Sequence, residues 1–250
     1  MHVLFATPTA GGIVKAGYAH TLFKAAIAVR NAGWRADIVT VDGSDVVVAR
    51  NFFANLLLHR PELTHLMMID SDMNFDGNVV CRLLGSDKPV VGAAYAKRRM
   101  DLRALVQAAR KSELAPAELT AMVLDYNLQL ELGPVQIIDG MCRVQRLALG
   151  CAAIRRDAFE GLIAAGTIAR LRPDGLLQSF GFDGPSYDFF SQITHPDGEK
   201  LSEDYAFCER WLSISGNEIW ALIDVPVGHV GDMVYGASAP YLTRLRLKED

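Results

Sequence analysis

Two aspartates one residue apart, Asp70 and Asp72, end the apolar run of THLMMIDSDMNF, residues 64–75. In an extended segment residues two apart point the same way, so both carboxylates can face one ligand. Like charges this close are unfavourable unless a cation or hydrogen-bond donors compensate them. Carboxylate oxygens suit Mg²⁺ and Mn²⁺. A solvated turn would leave the same pair at a strand end. Two metal or phosphate motifs fail on spacing. An EF-hand loop accepts Asp70, Asp72 and Asn74, but Phe75 and Cys81 stand where glycine and glutamate are needed. PTAGGIVKAG lacks the G-x-x-x-x-G-K-[ST] of a P-loop, and no G-x-G-x-x-G follows the first apolar run.

Two later stretches carry further candidates. GEKLSEDYAFCERW puts Glu203 and Asp204 on the first turn of a helix that Ser202 can cap, where acids also stabilise the helix end. DVPVGHVGD sets His229 in a glycine-flanked loop, a place where a histidine is as readily structural or exposed as a ligand.

The elements that must position these residues read as strand–helix alternation. Strands are expected at 2–8, 35–41, 65–69 and 88–96, and helices at 18–33, 44–60 (Ser44 as cap) and 77–86. Alternation implies parallel pairing in a layered α/β sheet, whose ligands bind beyond the carboxyl ends of the strands. That is where Asp70 and Asp72 fall. Residues 97–130 read as helical with a basic front, KRRMDLRALVQAARK holding six Lys/Arg against one Asp. Asp139-Gly140 signals a hairpin. A strand at 151–154, a helix at 155–166, a helix from 202 and a strand from 218 follow.

Composition narrows the class. The chain has 250 residues, half of them apolar and 22% charged, enough for a sizeable core. A net charge of −4 gives no global pull toward nucleic acid or anionic membranes, although a local patch can still supply one. The four cysteines form no C-x-x-C pair and read as buried thiols. The start has no signal-peptide pattern, and no apolar run approaches the ~20 residues of a membrane span. The chain therefore reads as cytoplasmic.

Taken in order, D-S-D at a strand end, S-E-D at a helix start and H-x-G after a late strand resemble the GT-A glycosyltransferases, specifically their small inverting bacterial and phage-type members. ARN (49–51), VVGAAYAKR (90–98), GCAAIRRDAF (150–159) and SEDYAFC (202–208) are similar to that group's landmarks, and the likeness spans roughly residues 2–236. The resemblance implies one GT-A (Rossmann-like) domain over 1–250, a layered sheet with helices on both faces. Residues 1–96 would be the nucleotide-sugar-binding half, and 97–250 a more irregular acceptor-binding half.

By the same resemblance, Asp70 contacts the donor ribose, Asp72 and His229 bind Mn²⁺ (or Mg²⁺), and Ser71 lies between the aspartates. Thr7, Pro8 and Asp42 line the nucleoside pocket. Arg50 reaches the base or phosphates, or is only a surface cation of its helix. Tyr95, Lys97 and Arg98 approach donor or acceptor. Asp204 is the general base, and Glu203 orients the acceptor or supports the helix end. The reaction implied is hexosyl transfer from a nucleoside-diphosphate sugar, UDP favoured over GDP, to an acceptor hydroxyl. Glycan, protein, lipid-linked and small-molecule acceptors are open, and so is a modified phage DNA base, which the basic front could guide as a polyanion. Two other readings stand beside this one. A sugar nucleotidyltransferase would want a glycine-rich basic signature after the first strand, where only Lys15 is found. A non-catalytic nucleotide-sugar-binding module would have no need of Asp204.

Overall fold

β1 (His2–Thr9) is apolar toward both faces, as a central strand must be. Val3 and Phe5 enter one buried layer, Leu4 and Ala6 the other. The computed structural model describes residues 1–43, 45–173 and 175–232. After β1 come α1 (Ala16–Asn31), β2 (Arg35–Asp42), α2 (Val46–His59), β3 (His65–Ile69), β4 (Met73–Asn74), α3 (Asn78–Leu84), β5 (Val90–Ala93) and β6 (Ala96–Met100). The chain continues through α4 (Leu102–Lys111), α5 (Pro116–Val123), β7 (Leu124–Tyr126), β8 (Leu128–Leu130), β9 (Met141–Leu147), β10 (Cys151–Arg155) and α6 (Arg156–Ala164). It ends with β11 (Ala169–Leu171), α7 (Gly175–Ser179), β12 (Ser186–Asp188), β13 (Ile193–Thr194), β14 (Lys200–Leu201), α8 (Glu203–Leu212), β15 (Ile219–Leu222) and β16 (Gly228–His229).

Eight strands form one sheet in the order β2-β1-β3-β10-β5-β15-β9-β8. Helices cover both faces: α2, α6 and α8 bring Phe52, Phe53, Phe159 and Phe207 to one, while α1 and α3 bring Val29, Val80 and Leu83 to the other. The layered α/β architecture is as the sequence implies, but the pairing is mixed. β1 pairs in parallel with β2 and β3, and β5 with β15. β10 runs antiparallel between β3 and β5. Residues 148–150 deliver β10 to the same end of the sheet as Asp70, whose N–H donates to the Gly150 carbonyl at 2.9 Å, so the strand must run back from there. β10 and β15 also set strands from beyond residue 97 among those from before it, so the sheet is not divided at that point.

Residues 97–130 are not one helical stretch. KRRM lies in β6, where Lys97 and Arg99 pair with Asp125 of β7 across an antiparallel ladder. α4 begins only after Asp101, whose carboxylate accepts the Arg103 and Ala104 N–H groups as an N-cap. Pro116 at the first position starts α5 separately. The Asp139-Gly140 turn forms with both residues at positive φ, as a tight hairpin turn requires, closed by an Ile138–Met141 bridge. Ser44, expected as the cap of α2, lies outside the described residues; Asp45 accepts the Val47 N–H there. All four cysteines are free thiols. Among the described residues no helix is long and apolar enough to cross a membrane.

α2 is fixed along its length by two asparagines. Asn51 donates to Asp188 and accepts the N–H groups of Phe189 and Phe190. Asn55, buried, both donates to and accepts from the Tyr187 backbone. These bonds satisfy an irregular segment's backbone and hold the helix in one rotation, which decides where its neighbour Arg50 points.

His65 opens β3 half-buried, and burial, with Arg155 nearby, lowers its pKa from 6.5 to about 4. As pH falls below 6.5 the unfolded chain takes up this proton before the folded one does, so stability is lost between pH 6.5 and about 4. His65→Gln should therefore lose less stability than the wild type between pH 7 and pH 4.5, measured by urea unfolding midpoints. Parallel losses in the two proteins would exclude the ring as a source of acid sensitivity.

Candidate active site

The D-S-D turn leaves the end of β3 with its backbone tied to three segments. The Asp70 N–H donates to Gly150, the Lys15 N–H to the Ser71 carbonyl at 2.9 Å, and the Val230 N–H to the Asp72 carbonyl at 2.8 Å. Just beyond, β4 and β16 form a two-residue antiparallel ladder, with His229 opposite Met73. The ladder brings His229 Nε2 to 3.4 Å from Asp72 Oδ2. The other ring nitrogen, Nδ1, stands 2.9 Å from the Ala96 carbonyl, to which only an N–H can donate. A neutral ring thus keeps the Nε2 lone pair toward Asp72, the arrangement of a metal-binding imidazole. Arg98 Nη1 donates to the same Asp72 oxygen at 2.8 Å. Burial works against a charged ring, but Asp72 and the Ala96 carbonyl outweigh it and raise the His229 pKa. Burial likewise works against the Asp72 carboxylate, and His229 and Arg98 outweigh it and lower the pKa.

A second cluster centres on Arg50, whose side chain is only 3% exposed. Nη2 lies 3.5 Å from Asp70 Oδ1 and 3.7 Å from Glu203 Oε1, and Nη1 contacts Asp204 Oδ1. Asp204 is itself buried, and its Oδ2 accepts the Leu149 N–H at 3.1 Å. Ser202 caps α8 as expected, accepting the Tyr205 N–H. Burial raises the Asp70 pKa, with Arg50 opposing and the Asp72 and Glu203 charges adding to the rise. Gly150 donates its N–H to the Tyr95 hydroxyl at 3.2 Å. A Cβ on Gly150 would stand 2.6 Å from both Asp70 Oδ2 and that hydroxyl, so only glycine admits them.

A cleft of about 430 Å³ joins the two clusters, lined by Arg50, Asp70, Asp72, Tyr95, Lys97, Arg98, Glu203, Asp204 and His229. These include most of the residues singled out from sequence. Others are not among its lining residues. Thr7 is buried, its hydroxyl 2.6 Å from the Tyr18 hydroxyl on α1. Pro8 is part of β1, and Ser71 supplies only the carbonyl that holds Lys15. Asp42 accepts the Gly12 N–H at 2.8 Å and so shapes the loop after β1. Arg50 is not a surface cation; its guanidinium is spent on three acids. Asn127 and Tyr205, which nothing in the sequence marked, also line the cleft. The place of Gly150 at the head of an apolar strand was the one available sign of its role.

Among the described residues no group of three His, Cys, Asp or Glu side chains converges to hold a metal. Asp72 and His229 form a two-donor set, which suits a cation that takes its other ligands from a bound anion and water.

No family model matches this sequence, and no curated protein matches it. Similar solved structures include A197 from STIV, with 17% identity over 93% of this chain and 87% of that one and a TM-score of 0.49. Another is mannose-1-phosphate geranyltransferase from Thermus thermophilus, with 11% identity, 92% and 76% coverage and a TM-score of 0.42. A third is 4-diphosphocytidyl-2C-methyl-D-erythritolsynthase from Anaerococcus prevotii, with 10% identity, 85% and 96% coverage and a TM-score of 0.33. Likeness at this level says nothing of activity.

Removing the buried guanidinium would leave three carboxylates crowded without a counter-charge. Arg50→Met should lower unfolding free energy by about 3–5 kcal/mol, read from urea denaturation. A loss under about 1 kcal/mol would show that the acids do not depend on it.

Proposed function

We propose that this chain is a metal-dependent inverting glycosyltransferase of the GT-A kind, moving a sugar from a nucleoside-diphosphate sugar, UDP favoured, to an acceptor hydroxyl. One observation carries the reading: Asp72 with His229, and Asp204 with Glu203, open onto a single cleft beyond the end of β3. Asp72 and His229 hold Mn²⁺ or Mg²⁺. When bound, the cation neutralises charge on the departing diphosphate. Arg98 shares Asp72 Oδ2 and would be free to meet the donor phosphates if a cation took that oxygen. Asp70, steadied by Arg50, is the ribose contact. Asp204 receives the acceptor proton as the hydroxyl attacks the anomeric carbon. The Leu149 N–H and Arg50 hold its carboxylate in one orientation, which favours a positioned base. Glu203 orients the acceptor from the same helix turn.

Thermal unfolding with a panel of nucleotide sugars, with and without Mn²⁺, tests the donor half of this proposal. A matching donor at a hundredfold its dissociation constant should stabilise by about 2.7 kcal/mol, and only with the metal present. Asp72→Asn and His229→Ala should abolish that gain; a gain that survives both removes these residues as ligands. Release of nucleoside diphosphate supports transfer, and release of pyrophosphate would identify a nucleotidyltransferase instead.

The acceptor half is tested by Asp204→Asn. The amide keeps one accepting oxygen, for either Leu149 or Arg50 but not both, and takes no proton at neutral pH. Single-turnover transfer should fall by about 10²–10⁴-fold with donor binding kept, and Glu203→Gln should be milder. Transfer by Asp204→Asn at near wild-type speed would put the base elsewhere.

A further inference from the structure

α4 contradicts the usual reason for a helix to form in a folded domain: none of its residues is buried. Asp101 caps it, and Ala104, Leu105 and Ala108 turn toward partial cover, yet Leu102 and Val106 are 60% and 50% exposed. On a helical wheel these two share one arc with Ala109, and Met100 in β6 adds a further exposed apolar side chain just before the helix. Arg103 and Arg110 fill the adjoining arc and Lys111 lies beyond them, all exposed. An apolar stripe beside a cationic one, on a helix with no buried residue, is the pattern of a segment lying in a lipid–water interface.

We infer that α4, with the basic strand β6 that leads into it, docks the protein on an anionic lipid surface. Charge selects this occupant. Residues 97–111 hold six Lys/Arg against one Asp in a chain of net charge −4; Asp125 and Asp72 hold Lys97, Arg98 and Arg99, and Arg103, Arg110 and Lys111 stand exposed on α4. Basic residues beside a membrane are drawn to anionic headgroups, and the effect fades with salt. A nucleic-acid backbone would use the cations but leave Leu102 and Val106 in water. A second copy meeting this face with its own would set cation against cation. The placement is also apt. β6 runs from Lys97 and Arg98 on the cleft into the helix with only Asp101 between, so a docked α4 holds the cleft mouth near the lipid surface. The inference stands apart from the reaction proposed above, because lipid binding is read without any turnover.

The test is flotation of the full chain with vesicles of phosphatidylcholine alone or mixed equally with phosphatidylglycerol, beside sedimentation equilibrium without lipid. The wild type should float with the mixed vesicles only, and high salt should release it. Arg103→Glu/Arg110→Glu/Lys111→Glu should bind at least about tenfold more weakly. Leu102→Ser/Val106→Ser, which leaves charge unchanged, should also weaken binding. Phe23→Ser, at a 69% exposed apolar residue of α1, should bind as the wild type does. All these sites are exposed, so unchanged thermal midpoints are expected and separate lost docking from lost folding. No flotation of the wild type, or flotation indifferent to both α4 variants, would overturn the proposal. So would a wild-type dimer that the Leu102→Ser/Val106→Ser variant dissolves, which would give the face to a second copy.

Discussion

A guanidinium buried in the middle of a helix, with three carboxylates gathered on it, is the interaction on which the rest of this molecule depends. Arg50 alone would be a heavily penalised charge in an apolar layer, and Asp70, Glu203 and Asp204 alone would repel one another. Each solves the other's problem only if α2, the end of β3 and the start of α8 meet at one point. Three elements remote in sequence are thus locked by one group. The asparagines that follow Arg50 on α2 fix the rotation of the helix, so the guanidinium has no other direction to take. The acids are held in a low-dielectric place around one cation, where burial raises the Asp70 pKa against the pull of Arg50.

The second constraint is on the backbone. Polar main-chain groups in a half-buried turn must find partners, and those of the D-S-D turn find them in three separate segments. The loop after β1, the strand β10 and the ladder strand β16 are thereby brought to the mouth of the cleft. β10 runs against its neighbours for this reason: its first residues are needed beside Asp70. The sheet's mixed topology and the geometry of the site are one fact seen at two scales.

Much of this was legible in the residues. β1 and β3 announce themselves as apolar runs buried on both faces, Ser202 marks the start of α8, and the spacing of Asp70 and Asp72 points to a shared ligand. Other parts were not. Pattern carries no sign of strand direction, so β10 read like any other strand. Lys97 and Arg99 looked like part of a helix front because their partner, Asp125, is supplied by a strand nearly thirty residues on. Arg50 read as a contact to base or phosphates, or else as a surface cation of its helix, because a charge flanked by apolar residues is usually exposed. Its counter-ions come from two other elements, which no local reading can assemble. Thr7, whose place at the strand end pointed to a pocket, has its hydroxyl taken by Tyr18.

The ladder between β4 and β16 ties the site to the length of the chain. The stretch 223–227 that leads into it has no slack: Asp224 is paired with Arg82, and Val225 and Val227 pack on the buried layer under α1 and α3. An insertion or deletion of one residue there would bring Gly228 or Val230 opposite Met73 and leave no imidazole beside Asp72. Chains that keep this chemistry while diverging in length must therefore take up their differences elsewhere, and the exposed stretch 132–138 on the far side of β8 is free to do so.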